Sequence, residues 1–150
     1  MLIMQSIQEK ADQIVKELNQ FDDWLDKYQY IIDKGKELPT AGLEIKIDEN
    51  LISGCQSKVW LTSEYRDGRV YFKGESDALI TRGLVSMVIQ VYSGCTPDEI
   101  LSFEPKFIEQ AGLSQHLSPT RNNGLLSMIK QIKLYALAWK IRNNPSTLKK

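Results

Sequence analysis

Apolar and polar positions repeat along this chain with two different periods, and each change of period marks an element. Near the start, Ile7, Ala11, Ile14, Val15 and Leu18 fall on one helical face. Ser6 precedes them and Glu9 stands three residues later, so a capping box opens the helix at Ser6. A second helix opens near Asp22 and Asp23, whose carboxylates suit a helix N-terminus. Its spacing predicts burial of Trp24, Leu25, Tyr28, Ile31 and Ile32, with Gly35 as the residue just past its end. Pro39 keeps the chain out of helix beyond that point.

The period then falls to two. Leu43, Ile45 and Ile47 alternate with Glu44, Lys46 and Asp48, which predicts a half-buried strand ended by Asp48-Glu49-Asn50. A second strand runs from about Lys58 to Tyr65, and a third from Val70 to Lys73. Asp67-Gly68 between them is a strong hairpin signal. These runs predict a small three-stranded antiparallel sheet.

The remainder reads as helix. Ser76 or Asp77 caps a run from Ala78 to Tyr92 that is apolar nearly all round, as befits a central helix, and Gly94 ends it. Thr96-Pro97-Asp98-Glu99 supplies an N-cap, a proline at the first helical position and a capping glutamate. Another short helix starts at Pro105 and closes at Gly112. A last helix from about Asn123 to Ile141 packs Leu125, Met128, Ile129, Ile132, Tyr135, Ala136 and Trp139. The tail from Arg142 to Lys150 is expected to fray. With no repeats and no linker, the 150 residues form one α+β domain, its sheet packed by helices from both chain ends.

Composition adds exclusions. The net charge of zero argues against general nucleic-acid binding, and no apolar run is long enough to span a membrane. The start lacks the basic region and apolar core of a signal peptide, so a cytoplasmic, reducing home is expected, with both cysteines free. Charge is unevenly spread. Residues 1–53 hold 11 acids and 6 bases, whereas after Glu109 there are seven Lys or Arg and no acid. Such asymmetry either steers a charged partner or reflects two solvated helix faces.

Candidate chemistry centres on Cys55, which follows Gly54 and precedes Gln56-Ser57-Lys58. Lys58 is a candidate cation favouring thiolate, while Gln56 and Ser57 can hydrogen-bond a sulfur or stabilise a bend. The local pattern leaves two readings open, a reactive thiol or an inert cysteine at a strand entry. Cys95 lies in a helix-to-helix connection and reads as space-filling. Two cysteines and one histidine, His116, are too few for a structural zinc set, so no metal site is expected. The polar stretch from Gln115 to Gly124, with His116 and Arg121, is a second place for chemistry.

Three motifs then carry a resemblance: Gly54-Cys55-Gln56-Ser57-Lys58-Val59-Trp60, Gly74-Glu75-Ser76-Asp77-Ala78, and His116 through Leu125. In this order they resemble the SufE family, the sulfur-acceptor proteins of the SUF iron–sulfur assembly system, and its CsdE relatives. The likeness extends from the Trp24–Gly35 helix to the last helix. The resemblance implies an α+β fold related to the IscU-type scaffold. It implies that Cys55 accepts persulfide sulfur from a pyridoxal-phosphate cysteine desulfurase of the SufS or CsdA kind, stimulates it, and passes the sulfur to a SufBCD-like scaffold complex. It further implies a carrier and activator rather than an enzyme, with no cofactor beyond the transient persulfide, and homodimers occur among SufE-like proteins. Asp77 and Arg121 match positions concerned with docking or activation; Gln56 and His116 fall within the same motifs and are placed with them, His116 without a specific role. The competing readings are an IscU-type iron–sulfur or zinc scaffold, a Cys-His nucleophilic enzyme pairing Cys55 with His116, and an interaction module.

Overall fold

The computed structural model of the chain describes residues 5–38 and 43–143. Helix α1, Ile7–Leu18, starts with the expected capping box, Ser6 and Glu9 each accepting from the other's backbone N–H. Helix α2, Trp24–Glu37, is capped by Asp23. Strands β1, Val59–Arg66, and β2, Arg69–Ser76, pair antiparallel with Val59 opposite Ser76 and Arg66 opposite Arg69. They are joined by Asp67 and Gly68, both at positive φ, 52° and 79°, as the expected tight hairpin turn requires. Helix α3, Leu79–Tyr92, follows, then α4, Pro97–Ser102, with its capping box of Thr96 and Glu99. Two single-turn helices, α5 (Phe107–Gln110) and α6 (Leu113–His116), lead to the long α7, Pro119–Arg142.

Helix α3 is the centre. It touches α1, α2, α7 and both strands, and Leu84, Val85, Met87, Val88, Val91 and Tyr92 are buried on it. Its approach to α2 is unusually close: a Cβ on Gly83 would lie 1.9 Å from the Ile31 carbonyl oxygen, and one on Gly35 3.0 Å from the Gly83 nitrogen. Gly35 is therefore an interior contact rather than the residue that ends α2, which continues to Glu37. Arg82 seals the crossing. Its Nε meets the buried Glu75 carboxylate at 2.6 Å, and Nη1 donates to the Gly35 carbonyl at 2.5 Å. Arg82 and a backbone bond hold the Glu75 carboxyl below its ordinary value, outweighing the upward push of burial. Helix α7 covers the inner hairpin face, where the Tyr135 hydroxyl donates to the Leu61 carbonyl and Trp139 stacks on Tyr65.

The α+β architecture stands, with two corrections in its elements. The sheet has two strands, not three. Leu43–Ile45 and Asp48–Asn50 form 3-10 turns, and only Leu51 makes a single bridge to Trp60. The Asn50 side chain donates to the Ile45 carbonyl at 2.9 Å, offering the backbone a local alternative to a sheet ladder. Ile45 is buried but Ile47 is 45% exposed, so the alternation does not define one buried face. Leu25, expected in the core, is 74% exposed in the first turn of α2. Pro39 and residues 144–150 of the tail lie outside the described residues. Among the described residues, no helix is long and apolar enough to cross a membrane.

Candidate functional site

Cys55 sits where the chain turns from the 3-10 segment into β1. Gly54 has φ 88°, a left-handed conformation that costs an L-residue about 1–2 kcal/mol, and a Cβ there would stand 2.7 Å from Ser127 Oγ. Glycine at this position thus lets the loop turn tightly against α7. The Cys55 sulfur is half-buried, 3.7 Å from the Gly124 carbonyl oxygen, its weak hydrogen-bond acceptor. Gly124 lies inside α7, and a Cβ there would come 3.6 Å from the sulfur.

A cavity of about 350 Å³ opens beside the sulfur. Gln56, Ser57, Thr81, Ser118, Thr120 and Arg121 supply its polar wall, with Leu84 and Met128 beneath. The first turn of α7 forms part of this wall. Ser118 is its N-cap, accepting from the Arg121 N–H at 3.2 Å, and Pro119 occupies the first helical position. The N-terminal turn of a 24-residue helix, Arg121 included, thus borders the cavity beside the thiol. Burial nevertheless pushes the Cys55 thiol above its ordinary value.

The far side of the loop is clamped. The Lys58 N–H donates to Asp77 Oδ1 at 3.2 Å, and the Lys58 carbonyl accepts from the Ser76 hydroxyl at 2.9 Å. Asp77 is therefore occupied with the loop and does not cap α3, whose N-cap Ala78 has no side-chain bond to give. Ser76 itself is held by Glu75, whose carboxylate accepts the Ser76 N–H at 3.1 Å, and Glu75 is held by Arg82. The Cys55 loop is thus tied to the α2–α3 crossing through a continuous set of hydrogen bonds.

The sequence-predicted residues separate into groups. Cys55, Gln56 and Arg121 line one cavity, and Asp77 joins them through Lys58. Lys58 contributes its backbone to the site rather than the expected cation beside the sulfur. His116 does not line the cavity. Its ring lies on Trp24 at a centroid distance of 3.9 Å, and its carbonyl accepts from the Tyr28 hydroxyl. Arg121 sits in a helix because α7 begins at Pro119, four residues before the expected Asn123. The signal for that start is Ser118-Pro119, the same N-cap and proline pair that locates α4 at Thr96-Pro97. Thr81 and Arg82 also belong to the site without being foreseen from the sequence, while Glu75 and Gly124 stand in the quoted motifs without a role assigned there. Among the described residues, no group of three His, Cys, Asp or Glu side chains is arranged to hold a metal ion.

The chain is similar to known proteins. Residues 12–136 match the SufE family, described as an Fe–S metabolism associated domain. An uncharacterised SufE-like protein of Rhizobium meliloti (strain 1021) is 42% identical over 127 residues, covering 81% of this chain and 91% of its own. The solution structure of a hypothetical protein from Thermus thermophilus shares the fold with a TM-score of 0.71, at 15% identity, over 94% of this chain and 97% of that one. Matched along most of its length and closely similar to a SufE-like relative, this chain belongs to the SufE family.

Proposed function

We propose that this protein is a persulfide carrier: Cys55 accepts sulfur from a cysteine desulfurase, stimulates that enzyme, and releases the sulfur to an iron–sulfur scaffold. Family membership suggests the coarser role, sulfur transfer in Fe–S metabolism beside a cysteine desulfurase. The observation that carries the finer reading is the placement of Cys55 Sγ. It is half-buried on a glycine-hinged loop, beside a cavity bordered by Arg121 and the N-terminus of α7.

The transfer balances without an oxidant. The Cys55 thiolate attacks the outer sulfur of the desulfurase persulfide; the sulfur–sulfur bond to the enzyme breaks as a new one forms on Cys55, and the enzyme cysteine leaves as thiolate. The new persulfide carries its negative charge one atom further out than the thiolate did. The helix N-terminus and Arg121 border space for that outer sulfur. The elevated thiol of the resting state keeps Cys55 quiet until docking draws the loop outward about Gly54, where access and the thiolate fraction both rise. Asp77 holds the Lys58 backbone of the loop and Arg121 lines the cavity with Cys55, so a partner that engages both comes close to the sulfur. Gln56 lies in the same partner-facing wall, and His116 extends that face toward Trp24.

The test is persulfide mapping by mass spectrometry after incubation with a desulfurase and cysteine. One added sulfur on Cys55 is expected, with loss of desulfurase stimulation in Cys55→Ser and its retention in Cys95→Ser. Normal stimulation by Cys55→Ser overturns the reading.

A further inference from the structure

Cys95, which the proposed transfer does not use, is held against an amine. Lys10 Nζ donates to the Cys95 sulfur at 3.4 Å and to the Ser93 carbonyl at 2.8 Å. The two residues stand 85 positions apart in the chain, and their contact brings α1 against the turn between α3 and α4. The sulfur is otherwise enclosed, with the Val91 carbonyl 3.7 Å away. The other cation whose charge reaches it, Arg69, is committed to the Gly94 carbonyl at 2.8 Å, and a guanidinium stays protonated. Lys10 is therefore the one nucleophilic nitrogen at this sulfur among the described residues.

A third group in this corner is incomplete. Tyr92 is 0% exposed, and its hydroxyl has no hydrogen-bond partner among the described residues. A buried donor left unpaired is costly, and such a group in a native fold calls for an explanation. The hydroxyl lies close enough to Cys95 that charge on the sulfur pushes its titration up. The reduced thiol gives it no acceptor within bonding distance. An oxygen added to the sulfur would supply one.

We propose that Cys95 and Lys10 form a reversible oxidative crosslink, a sulfur–nitrogen bond made after a peroxide has oxidised the sulfur. In the first step the sulfur takes one oxygen from the peroxide. The O–O bond breaks, an S–O bond forms, the thiol becomes a sulfenic acid, and the peroxide is reduced to water or an alcohol. In the second step Lys10 Nζ, its ammonium proton lost to solvent, attacks the sulfenyl sulfur. The S–N bond forms as the S–O bond breaks, and the hydroxyl leaves with one amine hydrogen as water. The Tyr92 hydroxyl donates to that departing oxygen. A thiol reductant reverses the bond: one thiol takes the sulfur from nitrogen as a mixed disulfide, and a second releases Cys95. Burial raises the Cys95 thiol against the pull of Lys10 and Arg69, so the first step is slow and answers sustained peroxide. Lys10 is only part-buried, and its motion admits a molecule as small as a peroxide. The bridge would tie α1 to the α3–α4 turn and constrain the unfolded chain as a disulfide does. None of this depends on what Cys55 carries.

The experiment treats the full chain with hydrogen peroxide, blocks the remaining thiols and maps unreduced peptides by mass spectrometry. A joined Lys10–Cys95 peptide pair is expected, lighter than its two parts by a pair of hydrogens and lost on adding dithiothreitol. The urea midpoint of the oxidised chain should rise and return with dithiothreitol. Lys10→Arg keeps the charge and removes the nucleophile. It should abolish the pair and leave Cys95 sulfenic acid, which dimedone traps. Tyr92→Phe removes only an unpartnered hydroxyl, so that variant keeps its fold, and its circular dichroism should be unchanged. It should slow formation of the pair about tenfold, the order of one hydrogen bond lost from the transition state, while more sulfenic acid is trapped. Cys95 left reduced, Cys95 carried to sulfinic acid without the pair, Cys95 joined to another lysine, or an unchanged rate in Tyr92→Phe would each overturn the proposal.

Discussion

The two cysteines occupy opposite kinds of site. Cys55 sits on a hinged loop, half-buried, at the edge of a polar cavity. Cys95 is 2% exposed, where β2 meets the end of α3, with its sulfur 3.7 Å from the Val91 carbonyl and 3.4 Å from Lys10 Nζ. The cation thus lies beside the enclosed cysteine rather than the one on the loop, and burial pushes both thiols up, at Cys95 against the pull of Lys10. A nearby positive charge is therefore not what sets the loop cysteine apart from the enclosed one. Both sulfurs follow a glycine at positive φ, Gly54 and Gly94, so what differs is access: Cys55 stands at the edge of a cavity and Cys95 is enclosed.

Native-state alkylation tests that contrast most severely. Cys55 should react about 10²-fold faster than Cys95 or more, since Cys95 must wait for opening and each ~1.4 kcal/mol of opening is a factor of ten. Similar rates by quantitative peptide mapping would erase the distinction. Next in size, Gly54→Ala should cost about 1–2 kcal/mol in urea unfolding from its left-handed backbone and displace Ser127, which a Cβ would meet at 2.7 Å. It should speed Cys55 alkylation and leave Cys95 unchanged; an equal change at both would point to general loosening. Truncating the thiols reverses the order of importance. Cys95→Ala should cost about 1 kcal/mol as buried atoms are lost, while Cys55→Ala should stay within about 0.5 kcal/mol.

The smallest effect is in pH. Burial raises the Cys55 thiol, so its alkylation profile should lie at higher pH than that of the same cysteine in the urea-unfolded chain. The sign for stability follows from linkage. The folded state holds the proton longer than the unfolded one, so this contribution is present below the unfolded thiol's titration and is lost as pH rises through the folded one. A profile coincident with the unfolded chain would mean that the sulfur is not desolvated at rest.

Legibility in the sequence followed the range of the interactions. The hairpin at Asp67-Gly68 and the caps at Ser6 and Thr96 were readable because each is settled within a few residues. The expected strand at Leu43–Ile47 failed although its competitor is also local, because the Asn50 side chain on the Ile45 carbonyl leaves no trace in period-two patterning. Leu25 misled for a related reason, since helical spacing marks a face without saying whether anything covers it. The motifs named Cys55, Asp77 and Arg121 without placing them. That the sulfur rests on the Gly124 carbonyl, and that Asp77 grips the Lys58 backbone, depend on how α7 and β2 are brought together by α3.

The hairpin turn has a practical consequence. An eight-residue strand at about 3.3 Å per residue puts Asp67 and Gly68 roughly 26 Å from the end of the hairpin where the Cys55 loop is clamped. Nothing stands within 4 Å of a Cβ added at Gly68, so a side chain there meets open space, at the ~1–2 kcal/mol cost of its left-handed backbone. It is a natural mounting point for a spectroscopic reporter. A dye carried there would read the distance to a dye on an added desulfurase without touching the sulfur, and so turns the strand pair into a ruler for the approach to the Cys55 loop.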